Sequence, residues 1–312
     1  MNMGLSCREA FTAELTRLGR ANPDIVALTS DAKGSTSLKA FTEALPEQFV
    51  EVGIAEQNEV GMAAGLAAVG KRPYVCAPAS FMSARALEQI KVDVAYSRMN
   101  VKIFAVSGGI SYGALGLSHH SNHDIAVMRA IPGIRVVLPC DEVQTVGLLR
   151  ELENSDLPAY IRVGKAAMPL VYEPGQRFEI GKAVRVRDGN DLTIVACGEM
   201  VWPSVVAADK LQEEGVGVRV LDMHTLHPLD EEAILAAARE TGRIVTIEEH
   251  SVNGGLGAAV ARLVVTHQPV PMRTLALPDE NLVAGASPDV FRHYGLDADG
   301  LCSAARELLA AD

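Results

Sequence analysis

The chain has 312 residues, 48% of them hydrophobic and 21% charged, with a formal net charge of −11. That is the balance of a globular protein too long for one core, so two domains are expected. The acidic excess leaves no basic stripe for nucleic acid, and no apolar run approaches the roughly 18 residues of a membrane span.

The N-terminal MNMGLSCREAFTAELTRLG turns amphipathic at once, which predicts a helix rather than a secretory leader or anchor. β-rich apolar runs follow at DIVALTSD, FVEVGI, RPYVCAPA, VKIFAVS, IRVVLPC and AYIRVG, separated by helical-period segments. That alternation predicts parallel strands joined by crossover helices. The clearest helix is EQNEVGMAAGLAAVG, 56 to 70, whose small residues permit close packing. A Pro- and Gly-punctuated passage, KAAMPLVYEPGQRFEI, then breaks the periodicity and reads as a connection. The expected division is a domain over 1–170, a linker over 171–184 and a second domain over 185–312.

The second unit repeats the α/β alternation, with strands in DLTIVACG, GVRVLDM, RIVTIEE and PMRTLAL and helices in VVAADKLQEEG, DEEAILAAARE and GLGAAVARLVV. RDGNDL, 187 to 192, predicts a hairpin turn between two strands. MHTLHPLD predicts a turn before a helix, with His224 and His227 structural. The five cysteines are odd in number and form no C-x-x-C pair, as reduced cytoplasmic thiols do.

Ligands of open parallel sheets bind beyond the carboxyl ends of the strands, so chemistry is sought there. Glu56 opens the small-residue helix, where the dipole alone would favour an acid. In GALGLSHHSNHDIA, His119 and His123 stand four apart, as two metal ligands on one helix face would. A metal site, a catalytic base and a histidine-rich helix start all fit that spacing, although no cysteine or further histidine cluster supplies a third ligand.

The order NPDIVALTSDAKGS, EVGIAEQNEVGMAAGLAAVG, ASFMSARALEQIKVDVAY, HDIAVMRAIPGIRVVLPCD, ACGEMVWPSVVAADKL, TLHPLDEEAI and EEHSVNGGLGAAVA resembles the transketolase family of thiamine diphosphate enzymes over nearly the whole chain. The resemblance implies a pyrimidine-binding domain followed by a transketolase C-terminal domain. It implies that Glu56 hydrogen-bonds N1' of the cofactor's aminopyrimidine, that Phe81 stacks on that ring, and that Asp31 lies near it. His119 takes the place of the family's substrate-facing histidine, and Asp124 opens the next helix, so no metal is expected. Arg8, Ser35 and Arg162 fall where family members contact an acceptor phosphate. Ser107 replaces a usual histidine, and Leu115 replaces the acid of a GEDG segment that binds a ketose hydroxyl. EEHSVNGGLG belongs to the C-terminal domain and implies a structural role.

The family's N-terminal diphosphate-binding domain, with its GDG…N segment, has no counterpart in this sequence. The resemblance therefore implies the second subunit of a split transketolase in the cytoplasm. A partner subunit would hold Mg2+ and the cofactor's diphosphate in an α2β2 assembly, and the pair would transfer a two-carbon ketol unit from a sugar or sugar-phosphate donor to an aldehyde. Its rivals are a deoxyxylulose-phosphate-synthase-like subunit, a 2-oxoacid dehydrogenase β-like subunit and a non-catalytic scaffold that kept the fold.

Overall fold

The computed structural model describes residues 2–310. The strands in chain order are β1 (Met3–Ser6), β2 (Ile25–Thr29), β3 (Phe49–Glu51), β4 (Arg72–Pro78), β5 (Lys102–Val106), β6 (Arg135–Val137), β7 (Ala159–Val163), β8 (Ala167–Pro169), β9 (Val184–Arg187), β10 (Leu192–Ala196), β11 (Val218–Asp222), β12 (Thr225–His227), β13 (Ile244–Ser251) and β14 (Met272–Leu277). They form a seven-stranded sheet of order β12-β6-β7-β5-β4-β2-β3 and a five-stranded sheet of order β14-β13-β10-β11-β9. All neighbours are parallel except at two edges, where β12 and β9 run antiparallel. Strands β2, β5, β7, β10 and β11 are buried at every position, as strands covered by helices on both faces must be. This is the expected α/β architecture of two parallel-rich sheets.

The short elements depart from the sequence reading. MHTLHPLD is more than a turn: β12 crosses from the second unit to extend the first sheet beside β6, and His227 Nδ1 lies 2.5 Å from the carbonyl of Ile134. RDGNDL connects β9 to β10, yet no hairpin forms, because β11 lies between them and β9 pairs with β11. Strands of three or four residues carry too little alternation to be read from sequence.

The connecting passage is packed rather than loose. Asp141 caps the helix Glu142–Glu153 through Gln144 N at 2.8 Å, while its other oxygen accepts from Val171 N and Tyr172 N at 2.8 and 3.1 Å. Tyr172 and Phe178 are buried there, and the Tyr172 hydroxyl donates to Asp222 Oδ2 at 2.5 Å. Burial pushes Asp222 up to about 7. Both hydrophobic cores run through both units. One joins Phe11, Phe104 and Leu148 to Leu192, Leu211 and Leu301, and the other joins Val75, Ile103 and Met128 to Val195, Leu226 and Ile234. The two sheets are thus held as one body by apolar packing.

Candidate functional site

Four neighbouring parallel strands, β5, β4, β2 and β3, end on the same side of the first sheet. After β2 the chain turns through Asp31, whose φ of 53° is left-handed, a conformation a non-glycine residue holds only when its surroundings impose it. The Asp31 amide donates to Glu51 Oε1 at 2.7 Å, which fixes that turn. After β3, Glu56 begins the helix Glu56–Ala68. After β4, the helix Ala79–Arg85 carries Phe81 and Arg85. After β5 comes the loop with Tyr112, Leu115 and His119.

These loops enclose a cavity of ≈300 Å³ lined by Asp31, Ser35, Glu56, Phe81, Leu115 and His119 together with Arg85 and Tyr112. That is near the lower bound for small-molecule sites. Glu56 is buried at 5% exposure, and its Oε1 accepts from Arg85 Nη1 at 2.7 Å. The Arg85 guanidinium carbon lies 3.9 Å from the Phe81 ring centroid. The His119 ring meets Phe81 edge-on at 5.4 Å and Tyr112 at 5.6 Å, and its Nδ1 is 2.9 Å from Ser118 Oγ. One turn below Glu56, Glu59 is fully buried, and burial pushes it up to about 8. It is therefore largely protonated at neutral pH, while its Oε1 accepts from Cys76 N at 3.1 Å and ties the helix to β4.

The structure therefore brings Asp31, Ser35, Glu56, Phe81, Leu115 and His119 together. Arg8 adjoins them: its Nη1 donates to the Ser35 carbonyl at 3.0 Å, and it lines a neighbouring cleft of ≈610 Å³ with Lys165, Trp202, Phe291 and Arg292. Arg162 and Ser107 stand apart from the cavity. Arg162 is buried between the units, its Nε 3.0 Å from Asp124 Oδ2 and its Nη2 2.7 Å from the Glu249 carbonyl, so no substrate phosphate reaches it. Ser107 is buried at the end of β5 with φ 58°. Leu115 is 54% exposed at the cavity mouth.

The histidine stretch divides. His119 faces the cavity, His120 is buried with Nε2 3.2 Å from the Gly113 carbonyl, and His123 Nε2 is 3.2 Å from Ser83 Oγ. Asp124, fully buried, accepts from the Tyr160 hydroxyl and from Arg162. The side chains of the suspected metal motif thus engage three different partners. Among the described residues no group of three or more His, Cys, Asp or Glu is placed to hold a metal ion. In EEHSVNGGLG, Glu248 accepts from Leu256 N and Gly257 N at 2.6 and 2.7 Å and so caps the helix Leu256–His267.

The residues fit a planar, nitrogen-bearing heteroaromatic ring: a buried carboxylate at the base, an aromatic ring on the wall and an imidazole at the mouth. Sequence reasoning missed Arg85, Tyr112 and Lys165. Arg85 was findable, since it follows Phe81 by four residues and shares its helix face. Lys165 was findable too, just past the carboxyl end of β7.

Two family models match the chain, "Transketolase, pyrimidine binding domain" over residues 3–170 and "Transketolase, C-terminal domain" over residues 181–301. One of the two subunits of an apulose-4-phosphate transketolase, from Phocaeicola vulgatus, is 53% identical over 309 residues, covering 99% of both chains. A 6-deoxy-6-sulfo-D-fructose transketolase subunit of a Clostridium species is 36% identical, over 96% of this chain and 94% of its own. A solved structure described as a split gene transketolase, inactive beta4 tetramer, superposes with a TM-score of 0.90 at 40% identity, covering 98% of this chain and 99% of that one.

Proposed function

Because the chain belongs to the transketolase family along both of its units, we propose that it is the pyrimidine-side subunit of a two-component transketolase. That enzyme moves a two-carbon ketol unit from a ketose to an aldehyde, with thiamine diphosphate as cofactor. The observation that carries this reading is the convergence of Glu56, Phe81 and His119 on one cavity at the carboxyl ends of neighbouring parallel strands.

In this reading the chain's own residues position and move protons. Glu56 holds the pyrimidine edge and biases protonation of its ring nitrogen, which a buried carboxylate at a helix N-terminus can do. Phe81 supplies a stacking face, and Asp31 shapes the opposite rim. When bound, thiamine diphosphate acts as the electron sink for carbon–carbon cleavage. With Nδ1 engaged by Ser118, His119 has Nε2 to offer to hydroxyls of the substrate.

The diphosphate and its Mg2+ belong to a partner subunit in an α2β2 assembly. End-to-end coverage of a relative that is itself named as a transketolase subunit supports that division. An anionic ketose, in particular a phosphorylated one, is the favoured substrate class. The two relatives described above are named for a phosphorylated and a sulfonated ketose, and Arg8 and Lys165 stand in the cleft beside the cavity. Leu115 removes an acidic partner at the mouth and shifts selection among polyols. All five cysteines are buried as free thiols, in keeping with a cytoplasmic enzyme.

Reconstitution tests the reading. Mixed with its diphosphate-binding partner, the chain should transfer ketol units from a phosphorylated ketose and release no carbon dioxide from pyruvate. Full turnover by the chain alone, or decarboxylation of pyruvate, would overturn it.

A further inference from the structure

Arg85 satisfies, by itself, both contacts assigned above to the pyrimidine ring. Its guanidinium donates to Glu56 Oε1 at 2.7 Å while its carbon lies 3.9 Å from the Phe81 ring centroid. A guanidinium is planar, carries N–H donors on its edge and stacks on aromatic faces, so in shape and bonding it imitates an aminopyrimidine. The cavity is only ≈300 Å³ with Arg85 among its walls. A ring cannot stack on the same face of Phe81 and bond the same carboxylate oxygen while Arg85 remains.

There is also a conflict of charge. A carboxylate paired with Arg is held ionised and acts as acceptor only. Biasing a ring nitrogen toward protonation requires Glu56 to share its proton with that nitrogen, which a paired guanidinium opposes. The Arg85 side chain is 48% exposed while Glu56 is 6% exposed, so Arg85 can swing into water and Glu56 cannot follow.

We propose that Arg85 is a resident stand-in for the cofactor's pyrimidine: a latch that fills the Glu56–Phe81 site until thiamine diphosphate, presented by the partner subunit, displaces it. The proposal rests on the pyrimidine-site reading given above. It makes Arg85 a positioning residue: it keeps a buried carboxylate paired in the empty subunit and sets a threshold for cofactor entry.

The test is thiamine diphosphate binding to the complex assembled with the diphosphate-binding partner, followed by calorimetry and stopped flow, for wild type, Arg85→Met and Arg85→Lys. An exposed-to-buried ion pair and a cation–π contact together correspond to an affinity gain on the order of tenfold when the competitor is removed. Arg85→Met should therefore bind about tenfold tighter, and Arg85→Lys, which keeps the charge and loses the planar stack, should fall between. In wild type the observed binding rate should plateau with cofactor concentration, as a slow opening step requires, and that plateau should vanish in Arg85→Met. Binding that is unchanged or weaker in Arg85→Met overturns the latch while leaving the site standing. If the wild-type complex does not bind thiamine diphosphate, the site reading falls, and the latch with it.

Discussion

Replacing Arg162 by Met should turn a silent charge cluster into a pH-sensitive fault between the two sheets. Arg162 is 5% exposed and lies against Asp124 at 3.0 Å and Glu249 Oε2 at 3.8 Å, with Asp124 fully buried. Burial pushes Glu249 and the neighbouring Glu199 upward, and Arg162 is the group that holds both down. Met fills much of the volume but leaves the carboxylates without a cation, a loss of about 3–5 kcal/mol when one partner of a buried pair is removed. For a protein of this size that corresponds to a fall in Tm of roughly 6–20 °C. The sign with pH follows from linkage. A carboxyl whose folded pKa lies above its unfolded value binds more protons when folded, so its stabilising effect is present at acid pH and is lost as pH rises toward the folded value. Without Arg162 the folded values climb further, and the deficit should be larger at pH 8 than at pH 6. Thermal melts of wild type and variant by circular dichroism at both pH values give the comparison. A loss below about 1 kcal/mol, or one that grows toward acid pH, would refute the reasoning.

His119→Asn in the reconstituted enzyme should lower kcat by about 10²–10⁴-fold, the usual contribution of a positioned acid–base group, with cofactor binding unchanged by calorimetry. Leu115→Asp restores an acid at a mouth position that is 54% exposed, so it should raise kcat/KM several-fold for donors with a free hydroxyl there and lower it for those without, as steady-state comparison of paired substrates would show. Wild-type stability should decline as pH rises from about 5 to 8 at Glu59 and Asp222, whose folded values stand at about 8 and 7, above unfolded values near 4. Urea titrations across that range measure it.

Much of this fold is written in five-residue runs of uninterrupted apolar character, which only strands buried on both faces need. The antiparallel β12 was illegible because three residues of MHTLHPLD carry no period, and its partner β6 lies some ninety residues earlier. Within the site, Glu56 and His119 were legible from their place beyond strand ends. Arg162 was misplaced because a charged residue in AYIRVG reads as an exposed or ligand-binding group; nothing local reveals Asp124 and Glu249 waiting to neutralise it across the seam. Arg85 was overlooked because the flanking Phe81 and Glu56 each had a sufficient role, and only side-chain geometry shows a third group joining them.

The most direct measurement is exchange of the thiazolium C2 proton of thiamine diphosphate in the assembled complex, comparing wild type with Glu56→Ala. The account predicts exchange far faster than in free cofactor for wild type and a return to near the free rate for Glu56→Ala, with ketol transfer abolished and the melting profile unchanged. Exchange that stays fast in Glu56→Ala, or ketol transfer that survives it, would contradict the central claim.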